Sequence, residues 1–103
     1  MKLVMTRVKL KPNSHKAYSE RFVDANPDLM VREIDWLDTQ LVYHPDSNVV
    51  TVLASWRNAK SYEFMTGTLR YQHAMRRFSE LWAAPPEITI SDVLAGLASK
   101  PDG

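Results

Sequence analysis

Val49-Val50-Thr51-Val52-Leu53-Ala54-Ser55-Trp56 is the stretch on which the fold turns. It is rich in β-branched residues and has neither glycine nor proline, so it reads as a strand. Its apolar or small residues fall on both faces, whereas a sheet covered by helices on one side only should be polar on the other. The reading that follows is a strand buried twice. The chain's own helices cover one face, and the same sheet of a second copy covers the other. Each valine or leucine buried in this way contributes roughly 1.5–3 kcal/mol.

Outward from this strand, His44-Pro45-Asp46-Ser47-Asn48 is a run of turn formers, preceded by a second strand from Ile34 to Tyr43. The two strands make an antiparallel hairpin. On the other side Asn58 can cap a helix carrying Tyr62, Phe64 and Met65, interrupted at Thr66-Gly67-Thr68. The helix restarts at Thr68 with Tyr71, Met75, Phe78 and Trp82 as its core-facing stripe. Ala83-Ala84-Pro85-Pro86 ends it, and Glu87 to Leu94 alternates as a last strand. At the start, Lys2 to Leu10 alternates with Val4, Thr6, Val8 and Leu10 on one face. Lys11-Pro12-Asn13-Ser14 turns into a helix from Ser14, capped by Asn13 or Ser14, to Ala25, with Tyr18, Phe22 and Val23 as its stripe. Asn26-Pro27-Asp28 breaks that helix, leaving at most a short turn over Leu29 to Glu33.

The order βαββαβ predicts an α+β, ferredoxin-like fold: a four-stranded antiparallel sheet with both helices on one face, pairing as a dimeric α/β barrel. Residues 1–94 make one domain, and 95–103 a loose tail in which Leu97 could dock. A chain of 103 residues has no room for a second core, and its 45% hydrophobic and 24% charged residues are ordinary globular composition.

The formal charge of +1 argues against nucleic acid or an anionic membrane as partner. The absence of cysteine rules out disulfides, thiolate metal sites and cysteine nucleophiles. The first seven residues do not read as a signal peptide, and no apolar run approaches a membrane span, so a cytoplasmic protein is expected. Three glycines do not build a phosphate loop, and no serine sits in a nucleophile elbow. His15, His44 and His73 are too scattered for a metal site. Trp36, Asp38 and Gln40 share a strand face with Ile34, a polar–aromatic row that lines either a pocket or a dimer seam.

Two segments, Val8-Lys9-Leu10-Lys11-Pro12 and Ala54-Ser55-Trp56-Arg57-Asn58-Ala59-Lys60-Ser61-Tyr62, resemble the antibiotic biosynthesis monooxygenase family of the dimeric α/β-barrel superfamily. Leu69-Arg70-Tyr71-Gln72-His73 resembles the family's helix that often carries a histidine, and the likeness runs over roughly residues 2–94. It implies a homodimer with a pocket in each subunit, between sheet and helices, for a small flat aromatic or polyketide-like molecule. One branch of the family oxidises phenols or anthrones to quinones with molecular oxygen and no cofactor, and another degrades haem.

By that resemblance Trp56, His73 and Thr6 are the candidate catalytic residues. Trp56 would stack on a planar substrate, and His73 would take a phenolic proton. Thr6 stands where the quinone-forming members carry asparagine, and a hydroxyl cannot do all that an amide does. Arg76 and Arg77 would steady an oxyanion. Tyr62, Asn58, Met65 and Tyr71 are further candidate contacts. The expectation is a cofactor-independent monooxygenase giving a quinone. The alternatives are haem as cofactor or a non-catalytic small-molecule-binding dimer. For haem, an ungapped count from Trp56 places the iron-binding histidine at Met75, two residues beyond His73, and an accompanying tryptophan at Met65.

Overall fold

In the computed structural model, which describes residues 1–96, the alternating segment Lys2–Lys9 forms β1. It is followed by α1 (His15–Met30), β2 (Trp36–His44), β3 (Val49–Trp56), α2 (Ala59–Thr66), α3 (Leu69–Ser79) and β4 (Glu87–Asp92). The strands form one antiparallel sheet in the order β2-β3-β1-β4, and the fold is the ferredoxin-like α+β arrangement. The last residues of the expected tail, Leu97 included, lie outside the described residues.

β3 spans the stretch quoted above and pairs with β1 from Lys2↔Trp56 to Lys9↔Val49. That register puts Val4, Val8, Val50, Ala54 and Trp56 on the helix-covered face, where all five are buried. Leu3, Met5 and Leu53 take the opposite face, joined by Val42 of β2. No helix of the described residues covers that side.

Asn48 closes the β2–β3 hairpin with a positive φ of 54°, a conformation asparagine tolerates better than most residues. Its amide donates to the Leu10 carbonyl at 3.0 Å and the Lys11 carbonyl at 3.3 Å. Its side-chain oxygen accepts from the Tyr43 hydroxyl at 3.0 Å. The hairpin is thereby pinned to the end of β1.

α1 runs through Pro27 to Met30 instead of stopping near Ala25. Pro27 removes one helical hydrogen bond, which in a helix interior costs about 3 kcal/mol. The turn it carries buries Leu29 and Met30 against Trp56, Tyr62 and Met65, and two such side chains return roughly 3–6 kcal/mol. Burial outweighs the proline. Of the expected stripe, Tyr18 and Phe22 face the core and Val23 is exposed; the inward side continues through Ala25 and Leu29. Ser14 occupies the cap position, but its hydroxyl donates to the Pro12 carbonyl at 3.4 Å and makes no cap bond.

Thr66-Gly67-Thr68 does interrupt the second helical region, and the Thr68 side chain caps α3 by accepting from Tyr71 N. α3 ends at Ser79, so Trp82 lies beyond the helix. It is held there by a bridge to Leu10 and by backbone bonds from Lys11 N to Leu81 O (2.9 Å) and Ala83 N to Lys9 O (2.8 Å). Ile34 precedes β2 and is exposed, as is Phe64 on α2.

A bulge between Trp36 and Asp38 splits the polar–aromatic row. Trp36 pairs with Trp56 and packs on the core, its indole N–H donating to Thr39 Oγ1 at 2.7 Å. Asp38 and Gln40, opposite Ser55 and Leu53, take the helix-free face. One inserted residue reverses the side to which everything beyond it points.

Candidate functional site

Between the sheet and the helices lies a cavity of about 320 Å³. Val4, Thr6 and Val8 of β1 form its floor along a length of about 13 Å, from four residues at the strand rise. Val52, Ala54 and Trp56 of β3 continue the floor, and α1, α2 and α3 supply the roof. Among the described residues, none of those lining it is Asp, Glu, Lys, Arg or His. Its polar atoms are mainly hydroxyls and indole N–H groups, from Thr6, Thr39, Tyr18, Tyr62, Tyr71, Trp56 and Trp82, with the Asn26 amide at α1.

Trp56 is fully buried at the end of β3, with the Tyr62 ring edge-on at 5.8 Å between centroids. Among the described residues its Nε1 donor has no hydrogen-bond partner, and neither has that of Trp82. Burial pushes the Tyr18 phenol up to about 12. The Tyr62 and Tyr71 phenols are raised as well, first by burial and, for Tyr62, by the neighbouring Tyr71. All three hydroxyls keep their protons across the ordinary pH range. The chamber is therefore neutral, apolar and supplied chiefly with hydrogen-bond donors.

Of the expected residues, the fold gathers Trp56, Thr6, Tyr62, Met65 and Tyr71 around this cavity. His73 is not among them. It lies on the exposed side of α3, because the stripe Tyr71, Met75 and Phe78 is the side turned to the sheet. Arg76 and Arg77 are exposed too. Arg76 lines a shallow groove outside α3 that shares Tyr71, Met75 and Trp82 with the cavity wall, and the Arg77 carbonyl accepts from the Arg21 guanidinium. Asn58 caps α2, its side-chain oxygen accepting from Ser61 N at 2.9 Å while its amide donates to Asp35 at 3.2 Å. Ser61 also donates to Asp35, and these two bonds hold that carboxyl below its usual range. Asn58 is thus a structural cap and does not line the cavity.

Haem does not fit these residues. No histidine lines the cavity, the ungapped position is Met75, and among the described residues no cluster of three His, Cys, Asp or Glu side chains is suited to a metal ion. Sequence reasoning missed Tyr18 and Trp82 as cavity residues, because apolar spacing marks a side chain as inward without telling a packed core from a chamber wall.

No helix of the described residues is long and apolar enough to cross a membrane. No known sequence family matches the chain, and no curated protein does. Solved structures match throughout. A proposed antibiotic biosynthesis monooxygenase of Bordetella bronchiseptica superposes with a TM-score of 0.82 at 14% identity, over 91% of this chain and 97% of that one. One from Caulobacter crescentus gives 0.80 at 20% identity, over 91% and 90%. A Nitrosomonas europaea protein of unknown function gives 0.75 at 20%, over 99% and 95%. At these identities the likeness is one of architecture, and the chain has the fold of the antibiotic biosynthesis monooxygenases.

Proposed function

We propose that the chain is a cofactor-independent oxygenase that holds a planar, electron-rich aromatic molecule in this cavity and oxidises it with molecular oxygen to a quinone. The observation that supports it is the chamber itself, neutral and apolar, with phenol, hydroxyl and indole donors. Trp56 and Tyr62 form one aromatic wall, and Thr6 offers a hydroxyl from the floor.

With no carboxylate or histidine among the described lining residues, the substrate must be acidic enough to lose its proton to bulk water as it enters. An anthrone or a polyhydroxynaphthalene meets that demand. The tyrosine hydroxyls hold the resulting oxyanion, and the apolar walls keep water from it. One electron passes from the anion to oxygen, and the radical pair recombines through a new C–O bond to a peroxide. The O–O bond then breaks as the remaining C–H proton is lost. One oxygen atom stays as the quinone carbonyl and the other leaves as water, so the substrate loses two hydrogens and gains one oxygen.

The functional unit in this reading is a homodimer. Leu3, Met5, Leu53 and Val42 form an apolar strip on the helix-free face, bordered by Arg7, Asp38, Gln40 and Glu87. A second copy meeting it face to face removes that strip from water and closes the barrel.

Oxygen uptake with a panel of anthrones and dihydroxynaphthalenes tests the chemistry. Uptake is expected, with one oxygen molecule consumed per quinone formed, and Ala54→Phe, which fills the cavity, should abolish it. Absence of uptake, or turnover that survives Ala54→Phe in a folded protein, overturns the reading. A non-catalytic aromatic-binding dimer is the second reading, favoured by one observation: His73, Arg76 and Arg77 all lie outside the chamber. Tight binding of the same compounds without oxygen consumption would select it.

A further inference from the structure

Three tryptophans face the helix side, and they differ in one respect. The Trp36 indole N–H is bonded to Thr39, whereas those of Trp56 and Trp82 are buried with no partner. Buried donors nearly always find an acceptor, so two of them on one cavity call for an account.

Their backbones lie at opposite ends of β1, Trp56 opposite Lys2 and Trp82 opposite Leu10, about 26 Å apart along the strand. The cavity floor from Val4 to Val8 runs between them. Trp82 is clamped by backbone bonds on both of its sides, so its main chain is fixed in advance. Tyr18 is fixed as well, its ring packed 4.9 Å from that of Phe78. The Tyr18 hydroxyl comes close to the Trp82 indole without the geometry of a hydrogen bond. Two neutral donors therefore converge at the Trp82 end, while at the other end the Trp56 indole stands with the Tyr62 ring edge-on beside it.

We propose that Tyr18 and Trp82 form a second oxygen-binding subsite, so that the ligand is an elongated planar aromatic with a hydrogen-bond acceptor at each end of its long axis. The inference rests on the aromatic-binding reading of the cavity and adds the ligand's length and the placement of its oxygens. At the Tyr18–Trp82 end the acceptor is a carbonyl or neutral hydroxyl oxygen, because the described lining has no cation to balance a second charge beside the oxyanion.

The test uses two probes with the same three-ring core, 2,6-dihydroxyanthraquinone and 2-hydroxyanthraquinone. Calorimetry gives their affinities, and the indole N–H signals of ¹⁵N-labelled protein, assigned by single Trp→Phe variants, give their positions. The dihydroxy probe should bind roughly tenfold tighter, the scale of one more buried hydrogen bond. It should move the Trp56 and Trp82 indole signals and leave that of Trp36 in place. Trp82→Phe, and Tyr18→Phe, which removes a single oxygen atom and so preserves the packing, should erase the dihydroxy advantage and leave the monohydroxy affinity within about twofold.

Equal affinity for the two probes, an unmoved Trp82 signal, or variants that weaken both probes alike would overturn the subsite while leaving the aromatic-binding cavity intact. Failure of both probes to bind the unmodified protein would overturn the cavity reading, and the subsite with it.

Discussion

Asn48 combines a left-handed backbone with three side-chain hydrogen bonds, to Leu10, Lys11 and Tyr43. Asn48→Ala loses both features and should cost about 2–3 kcal/mol in urea unfolding. Asn48→Gly keeps the backbone conformation and should cost visibly less. Equal losses would mean that the backbone conformation contributes nothing. Tyr18 offers a second measurement. Burial disfavours the phenolate and pushes this phenol up from its ordinary value of 10.0 to about 12. The stability this represents is complete below pH 10 and is lost as pH rises toward 12, since the unfolded chain ionises first. Absorbance at 295 nm should therefore show one phenol fewer ionising at the alkaline end of the curve in Tyr18→Phe. If the variant instead loses intensity near pH 10, the phenol is not shielded. The residues around Trp56 were legible from the sequence, because a strand ending in tryptophan before a capped helix has few places to put the indole. His73 stands off the stripe of Tyr71, Met75 and Phe78 in the sequence as in the structure; the family resemblance alone put it forward, and it lies outside the chamber.

At the scale of the element, α1 shows burial overriding a local rule. Pro27 marked a helix end in the sequence, but the turn beyond it is kept by Leu29 and Met30. Pro27→Ala should restore the missing N–H donor and stabilise the chain by about 1–3 kcal/mol, read as a higher urea midpoint at unchanged slope. A lower midpoint would show that the proline shapes the helix in a way the packing needs. β3 was readable to the residue, because turn formers and a cap bracket it on both sides. β2 was not. Its bulge sends Trp36 to the core and Asp38 and Gln40 to the helix-free face, and a single inserted residue leaves no mark in an alternating pattern.

At the scale of the whole molecule, the order of elements fixed the fold class, because four strands and a helix-bearing return allow few sheets. The existence of the cavity was not legible, since wall and core residues share one composition. The helix-free face gives the third-level test. Leu53→Glu sets a carboxylate opposite Gln40 and beside Met5, and should raise the dimer dissociation constant by roughly a hundredfold or more. Sedimentation at micromolar concentration checks it. The native chain should run as a pair and the variant as single copies, and a native chain that already runs alone would remove the barrel. If the chain is the oxygenase proposed above, its uncharged lining also bears on how turnover responds to acidity. A site built around its own histidine would keep one midpoint for every compound. Here the midpoint of the pH–rate curve should travel with each compound's own ionisation, so that a chlorinated anthrone reacts at lower pH than its parent. The enzyme would act as a shaped solvent whose acidity range is set by whatever it dissolves.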